Sequence, residues 1–192
     1  MPLQEIYICR HGATAWSKSG QHTGLTDLPL LEEGRQQALA LKSTLSQQVF
    51  SAVYSSPLQR AVETAHLAGY TALQLTPALI EWDYGEYEGK TTADIQKTIP
   101  NWNIFDFPVI GGESVEHIQA RAHEFLQSLQ QHEGKVLLFS SGHISRVLGA
   151  VWLGLSARHA KHFALSTASM SILGFERSTP CLKLWNYVPH SI

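Results

Sequence analysis

The chain has only two cysteines in 192 residues, Cys9 and Cys181, and they lie far apart. That leaves room for one disulfide at most and for no cysteine metal spacing, and both are read as reduced thiols. No apolar run reaches the ~18 residues needed to cross a bilayer, and no membrane role is expected. A dominant charge is missing as well: 14 Lys and Arg stand against 16 Asp and Glu, for a formal net charge of -2. Without a basic run, nucleic acid is not an expected partner. The N-terminus enters a β-favouring stretch almost at once, leaving no room for a secretory leader. A cytoplasmic protein is expected. With no repeat, linker or low-complexity segment, residues 1–192 are expected to form one domain that buries about 70% of its unfolded surface.

What is present is organised around Arg10-His11-Gly12. The preceding Leu3-Gln4-Glu5-Ile6-Tyr7-Ile8-Cys9 reads as a strand. Neighbouring strand side chains point to opposite faces, so Arg10 and His11 serve one ligand only if the chain turns there. Gly12 is expected to ease that turn. An arginine fork beside an imidazole suits a phosphoryl group, because the guanidinium binds two oxygens while the ring attacks phosphorus. A surface Arg-His pair is the plainer alternative. The polar loop that follows carries Thr14, Ser17 and Thr23, whose hydroxyls can meet phosphate oxygens, and His22, read as a structural hydrogen-bonder.

Leu31, Gly34, Ala38, Leu41 and Leu45 predict an amphipathic helix over 31–47. A short strand over 52–54 leads to Ser55-Ser56-Pro57-Leu58-Gln59-Arg60. There Ser56 is expected to cap a helix opened by Pro57, with Gln59 as capping-box partner. Arg60 then falls in the first turn, where an anion is favoured. After a third short strand at 73–75, residues 81–89 place four carboxylates among three aromatics and two glycines. A carboxyl group packed against aromatics tends to rise in pKa, as a general acid requires. Periodicity does not say which carboxylate is buried.

Residues 100–112 are irregular and aromatic, a pocket wall or lid, or else a hydrophobic plug. Ser114 is expected to cap a helix with Val115, Ile118, Ala122, Phe125 and Leu129 on one face, leaving His117 and His123 solvated. Lys135-Val136-Leu137-Leu138-Phe139-Ser140 reads as a strand buried at the centre of a parallel sheet. It breaks at Ser141-Gly142-His143 before a further apolar helix, and ligands of open α/β sheets bind at such strand ends. His159 and His162, three apart, lack a third metal ligand nearby. Residues 168–175 and 181–188 predict a hairpin at the sheet edge.

These ordered motifs together resemble the histidine phosphatase superfamily, the group that includes phosphoglycerate mutases and many small phosphatases. The resemblance runs through Arg10-His11-Gly12, Gly20 to Asp27 with Pro29-Leu30, Ser55 to Ala61, Glu81 to Gly89, Gly111 to Ser114, and the strand, turn and helix to Arg146. It implies a three-layer α/β/α fold with a mostly parallel sheet. It also implies that His11 is a nucleophile that becomes phosphorylated, that Arg10 and Arg60 hold the phosphate, and that Glu81 is the proton donor. Ser17, Thr23, Ser141, Gly142 and His143 complete the expected cradle. The family pattern places a second histidine directly before the glycine, where this chain has Ser141; His143 lies one residue after it.

The expectation is a metal-independent phosphomonoesterase that needs no cofactor and acts on a phosphorylated small molecule, with a lean toward sugar phosphates. Mutase-type phosphoryl transfer is the alternative, as is a weakly active or non-catalytic phosphate-binding role resting on Ser141. The sequence does not speak to oligomeric state.

Overall fold

The computed structural model describes residues 2–189. Six strands form one sheet: β1 (Leu3–Arg10), β2 (Ala52–Ser55), β3 (Gln74–Leu75), β4 (Gly134–Ser140), β5 (Met170–Glu176) and β6 (Thr179–Tyr187). Their order is β3-β2-β4-β1-β5-β6. The first four strands in that order run parallel; β5 and β6 add an antiparallel hairpin at one edge. The longer helices are α2 (Glu32–Leu45), α3 (Gln59–Leu67), α5 (Val115–Leu129) and α6 (Gly142–Trp152), with short α1 (Ala15–Ser19) and α4 (Thr92–Gln96).

The layers follow from strand alternation. Ile6 and Ile8 of β1, with Val136 and Leu138 of β4, join the core that includes α5 and α6. Tyr7, Cys9, Leu137 and Phe139 point the other way, into the core under α2 and α3. The sheet is therefore buried on both faces, and β4 reads as a continuous apolar run for that reason. Both cysteines are free thiols. Among the described residues, no helix is long and apolar enough to cross a membrane.

Two local expectations are corrected, and one open alternative is decided. The helix after β2 begins at Gln59, with Leu58 at its N-cap and no side-chain cap. The Gln59 side chain is drawn off to the Asp27 carbonyl and its amide to the Asp27 carboxylate, so the Ser56 capping box does not form. Gly12 does not have the positive φ that glycine uniquely allows. Its value is close approach, since a Cβ there would sit 2.2 Å from the Gly34 carbonyl oxygen of α2. Finally, Trp102, Ile104 and Phe105 are buried in the core beside α5 and α6, so this part of the 100–112 segment is the plug, while residues 106–112 stay half-buried or exposed.

Candidate active site

Strands β1 and β4 end side by side, with Arg10 paired to Ser140. The His11 backbone is pinned there: its N–H donates to the Ser140 carbonyl at 2.9 Å and its own carbonyl accepts from Ala168 N–H at 3.0 Å. At this carboxyl end of the sheet lies a cavity of about 170 Å³, lined among others by Arg10, His11, Ser17, Thr23, Glu81, Gly142 and His143. The structure thus gathers seven of the nine expected site residues around one small space. Arg60 and Ser141 are buried and do not line it.

The His11 ring has a defined tautomer. Its Nδ1 lies 2.8 Å from the Gly12 carbonyl oxygen. A carbonyl only accepts, so Nδ1 carries the hydrogen and Nε2 keeps its lone pair. Burial, reinforced by the charges of Arg60 and Arg10, pushes the His11 pKa well below the ordinary histidine value. The ring is a neutral base poised among cations.

Arg10 donates through Nη1 to the Leu165 carbonyl at 2.6 Å, and its Nε is buried without a protein acceptor. Gly142 gives it room, since a Cβ there would lie 3.3 Å from the guanidinium carbon. Arg60 is fully buried. Its Nη atoms donate to the carbonyls of Thr23, Gly24 and Thr26, leaving Nε unpaired. The amides of Gly24 and Thr26 are held in turn by the Glu88 carboxylate. A loop clamped at both carbonyls and amides is rigid, and it carries Thr23 to the cavity.

Glu81 is the buried carboxylate among the four. It sits at the amino end of α6, accepting from the N–H groups of His143 and Ile144 at 2.8 Å and of Trp82 at 3.0 Å. Its approach is set from behind by Arg121, which pairs with Glu113 and donates to the Ala78 and Ile80 carbonyls. Ser17 uses its hydroxyl in the cap of α1, donating to the Thr14 carbonyl while accepting from the Thr14 amide. Thr23 donates to Gln21 O at 3.2 Å. Ser141 is buried, and its Oγ has no protein partner. The His143 ring meets the Tyr84 hydroxyl, 2.6 Å from Nδ1.

Trp16, Gln21, His22, Tyr84 and Arg146 also line the cavity. They were not marked as site residues, although Trp16, Gln21 and His22 share the loop of Ser17 and Thr23, Tyr84 lies three residues after Glu81, and Arg146 three after His143. His159 and His162 are exposed on a separate turn, Ala157–His162. Among the described residues no group of three or more His, Cys, Asp or Glu side chains is arranged to hold a metal ion.

A neutral, lone-pair-bearing imidazole among arginines at the carboxyl end of a mostly parallel sheet defines a class of α/β protein built to handle an oxyanion. The chain belongs to the histidine phosphatase superfamily (branch 1), whose family model matches residues 6–188. It is 37% identical over 189 residues to an acid phosphatase of Mycobacterium tuberculosis, covering 96% of this chain and 93% of that one. It is 32% identical over 185 residues to sedoheptulose 1,7-bisphosphatase of Saccharomyces cerevisiae, covering 79% of this chain and 68% of that one. A solved open reading frame product of Mycobacterium tuberculosis superposes with a TM-score of 0.93 at 37% identity, over 97% of this chain and 99% of that one. Family and relatives support a phosphatase.

Proposed function

We propose that the protein is a phosphomonoesterase of the histidine acid phosphatase type, metal-independent, acting through a phosphohistidine at His11 on a small phosphorylated molecule such as a sugar phosphate. The observation that carries this is the free Nε2 of a neutral His11 facing a cavity with Arg10. Nε2 attacks phosphorus in line, and the bond to the leaving oxygen breaks. Glu81 gives that oxygen its proton. The imidazole gains positive charge as the N–P bond forms, and Nδ1–H donation to the Gly12 carbonyl steadies it. Arg10 and the buried charge of Arg60 offset the negative equatorial oxygens; Gly142, Ser141, His143 and the loop hydroxyls of Ser17 and Thr23 complete the cradle. Water then attacks the phosphohistidine, Glu81 takes its proton, and phosphate leaves with His11 restored. The names of the acid phosphatase and sugar bisphosphatase relatives support the reaction class.

The test is phosphate release from p-nitrophenyl phosphate and a panel of sugar phosphates in EDTA. Turnover is expected to persist in the chelator and to fall by at least ~10³-fold in His11→Ala. Acid-labile, alkali-stable phosphate should be trapped on the native chain and not on the variant. Turnover that survives the loss of His11 would overturn the mechanism.

A pH profile checks the same ring independently. An imidazole whose pKa is lowered stays unprotonated, and thus nucleophilic, below its ordinary value of about 6.5. With the ester's own ionisation corrected for, kcat/KM is expected to hold its plateau through pH 6.5 and decline only in more acidic buffer. A half-loss centred on 6.5 would contradict the burial and arginine effects.

A further inference from the structure

A loop far from β1 in sequence, residues 164–169, holds the two residues at the centre of the site. The Leu165 carbonyl accepts from Arg10 Nη1 at 2.6 Å. The Ser169 carbonyl accepts from the Arg10 N–H at 3.0 Å, and the Ala168 N–H donates to the His11 carbonyl at 3.0 Å. Ala168 makes that contact in the left-handed region, at φ 48°, and is almost fully buried. A Cβ disfavours this conformation, so the surrounding contacts must impose it.

The bond from Arg10 to Leu165 matters for its geometry. A guanidinium is a rigid planar fork. Fixing Nη1 on a backbone carbonyl restricts that plane and leaves Nε without a protein acceptor. The direction of the Leu165 carbonyl therefore governs how Arg10 meets an anion in the cavity, which both residues line.

That carbonyl is held in turn from β6. The Asn186 Oδ1 accepts from the Ser166 N–H at 2.7 Å. The Ser166 N–H and the Leu165 C=O belong to one peptide unit, which is planar. Fixing one end of the plane fixes the other, and two hydrogen bonds through one amide polarise each other. Beside it, Trp185 Nε1 donates to the Ala164 carbonyl at 2.7 Å. Gly149 of α6 makes room for the Trp185 ring, since a Cβ there would lie 2.8 Å from it.

β6 is bulged at this point. Met170 pairs with Tyr187 and Ile172 with Leu184, so β6 carries one residue more than β5 across the interval. Bulges re-aim side chains. Asn186 sits in this one at φ 58°, with its N–H donating to Ser171 Oγ at 3.1 Å. Asparagine tolerates that backbone better than most residues with a Cβ.

We propose that Asn186 is a positioning residue for Arg10: it holds the Leu165–Ser166 peptide plane, and that plane aims the guanidinium at the phosphoryl group. The inference rests on the reading of Arg10 as a phosphate ligand and adds to it a residue at the sheet edge that touches neither substrate nor the reacting atoms.

The experiment uses full-length protein in about 0.3 M salt, which screens surface charge. Asn186→Gly accepts the left-handed backbone and removes the acceptor; Asn186→Asp keeps an acceptor. Affinity for inorganic phosphate is measured by calorimetry, and kcat and KM on p-nitrophenyl phosphate. Asn186→Gly is expected to weaken phosphate binding by about 3- to 10-fold, the range of one hydrogen bond, and to raise KM by a similar factor. Asn186→Asp should stay close to the native value. In an Arg10→Gln background, with phosphate carried to millimolar concentration, Asn186→Gly should change the affinity by a ratio near one. A general loosening of the fold would weaken binding equally in both backgrounds, so the comparison stays readable even where Asn186→Gly lowers thermal stability. Equal losses with and without Arg10, native affinity in Asn186→Gly, or an Asn186→Asp protein as weak as Asn186→Gly would each overturn the assignment. Loss of affinity that depends on Arg10, with no turnover of any ester, would sink the phosphatase reading and leave the role of Asn186 standing; turnover with an affinity unmoved by Asn186→Gly would do the reverse.

Discussion

Ser141→His is expected to raise kcat on p-nitrophenyl phosphate by about 10²- to 10³-fold. The family resemblance puts a second imidazole at this position. Here Ser141 is the extended residue that opens α6, at φ -113° and ψ 179°. Its hydroxyl is buried with no protein partner, a state that costs about 1–3 kcal/mol in a protein interior. A serine reaches less far than a histidine and carries no charge. Phosphoryl transfer, by contrast, is accelerated chiefly by fixed donors aimed at the charge that develops on the equatorial oxygens. Restoring one such donor is worth about 2.7–4 kcal/mol of transition-state stabilisation, and that figure sets the range of the gain.

In this proposal His143 stays in the cradle without taking the place of the missing ring. Its Nδ1 is engaged by Tyr84, its main-chain N–H by Glu81, and its place on α6 puts it on the side of Arg146. Because an introduced histidine also changes packing next to Gly142 and Arg10, thermal stability is measured on the same preparation. A second check is free imidazole, which should accelerate the native chain and not Ser141→His. A folded Ser141→His protein with unchanged kcat would show that the native serine limits nothing, and slow turnover would need another cause.

Much of this site was readable because it depends on local sequence. The apolar runs of β1 and β4 announce buried parallel strands, and each ends in a chemically distinctive turn, Arg10-His11-Gly12 or Ser141-Gly142-His143. Adjacent parallel strands must end at the same side of the sheet, so the two turns meet. What stayed hidden depends on contacts far apart in the chain. Arg60 is placed by sequence only in the first turn of a helix, and the Thr23, Gly24 and Thr26 carbonyls that hold its guanidinium come from a loop over 30 residues earlier. Periodicity could not tell Glu81 from its three acidic neighbours, and only the family resemblance singled it out, since the N–H groups that select it belong to α6, some 60 residues later in the chain. Gly12 invited a conformational reading, but the reason for glycine lies in the backbone of α2. Arg146 was visible as a motif position, while its place over the Phe105 ring is a property of the folded molecule alone.

The second large expected effect is a steep loss of stability between pH 6.5 and 5, and its origin is the same site. His11, His22 and His143 are all enclosed around the cavity, and all three are pushed below the ordinary histidine value. Burial is the leading cause in each. Arg60 and Arg10 add to it at His11, and Arg146, His22 and Arg10 at His143; His22, wedged against Tyr84 and Trp102, falls to about 4. In the unfolded chain these rings bind protons near pH 6.5; in the folded chain they do not until the pH is lower. Where the unfolded state holds more protons, stability rises with pH. The contribution is therefore complete above pH 6.5 and is lost as the pH falls toward the folded values. Each ring changes the unfolding free energy by up to about 1.4 kcal/mol per pH unit. For His22 alone, the interval from 6.5 to about 4 is worth ~3 kcal/mol. Against a typical total of about 5–15 kcal/mol, three such rings weigh heavily. Urea unfolding at fixed ionic strength should give a nearly level free energy from pH 8 to 7 and a decline approaching three protons' slope below 6. His22→Gln should remove about one proton from that slope. A free energy that stays level to pH 5 would contradict the enclosure of these rings. The two effects of burial thus oppose each other: the environment that keeps the His11 nucleophile neutral in acid also sets how far into acid the fold survives to use it.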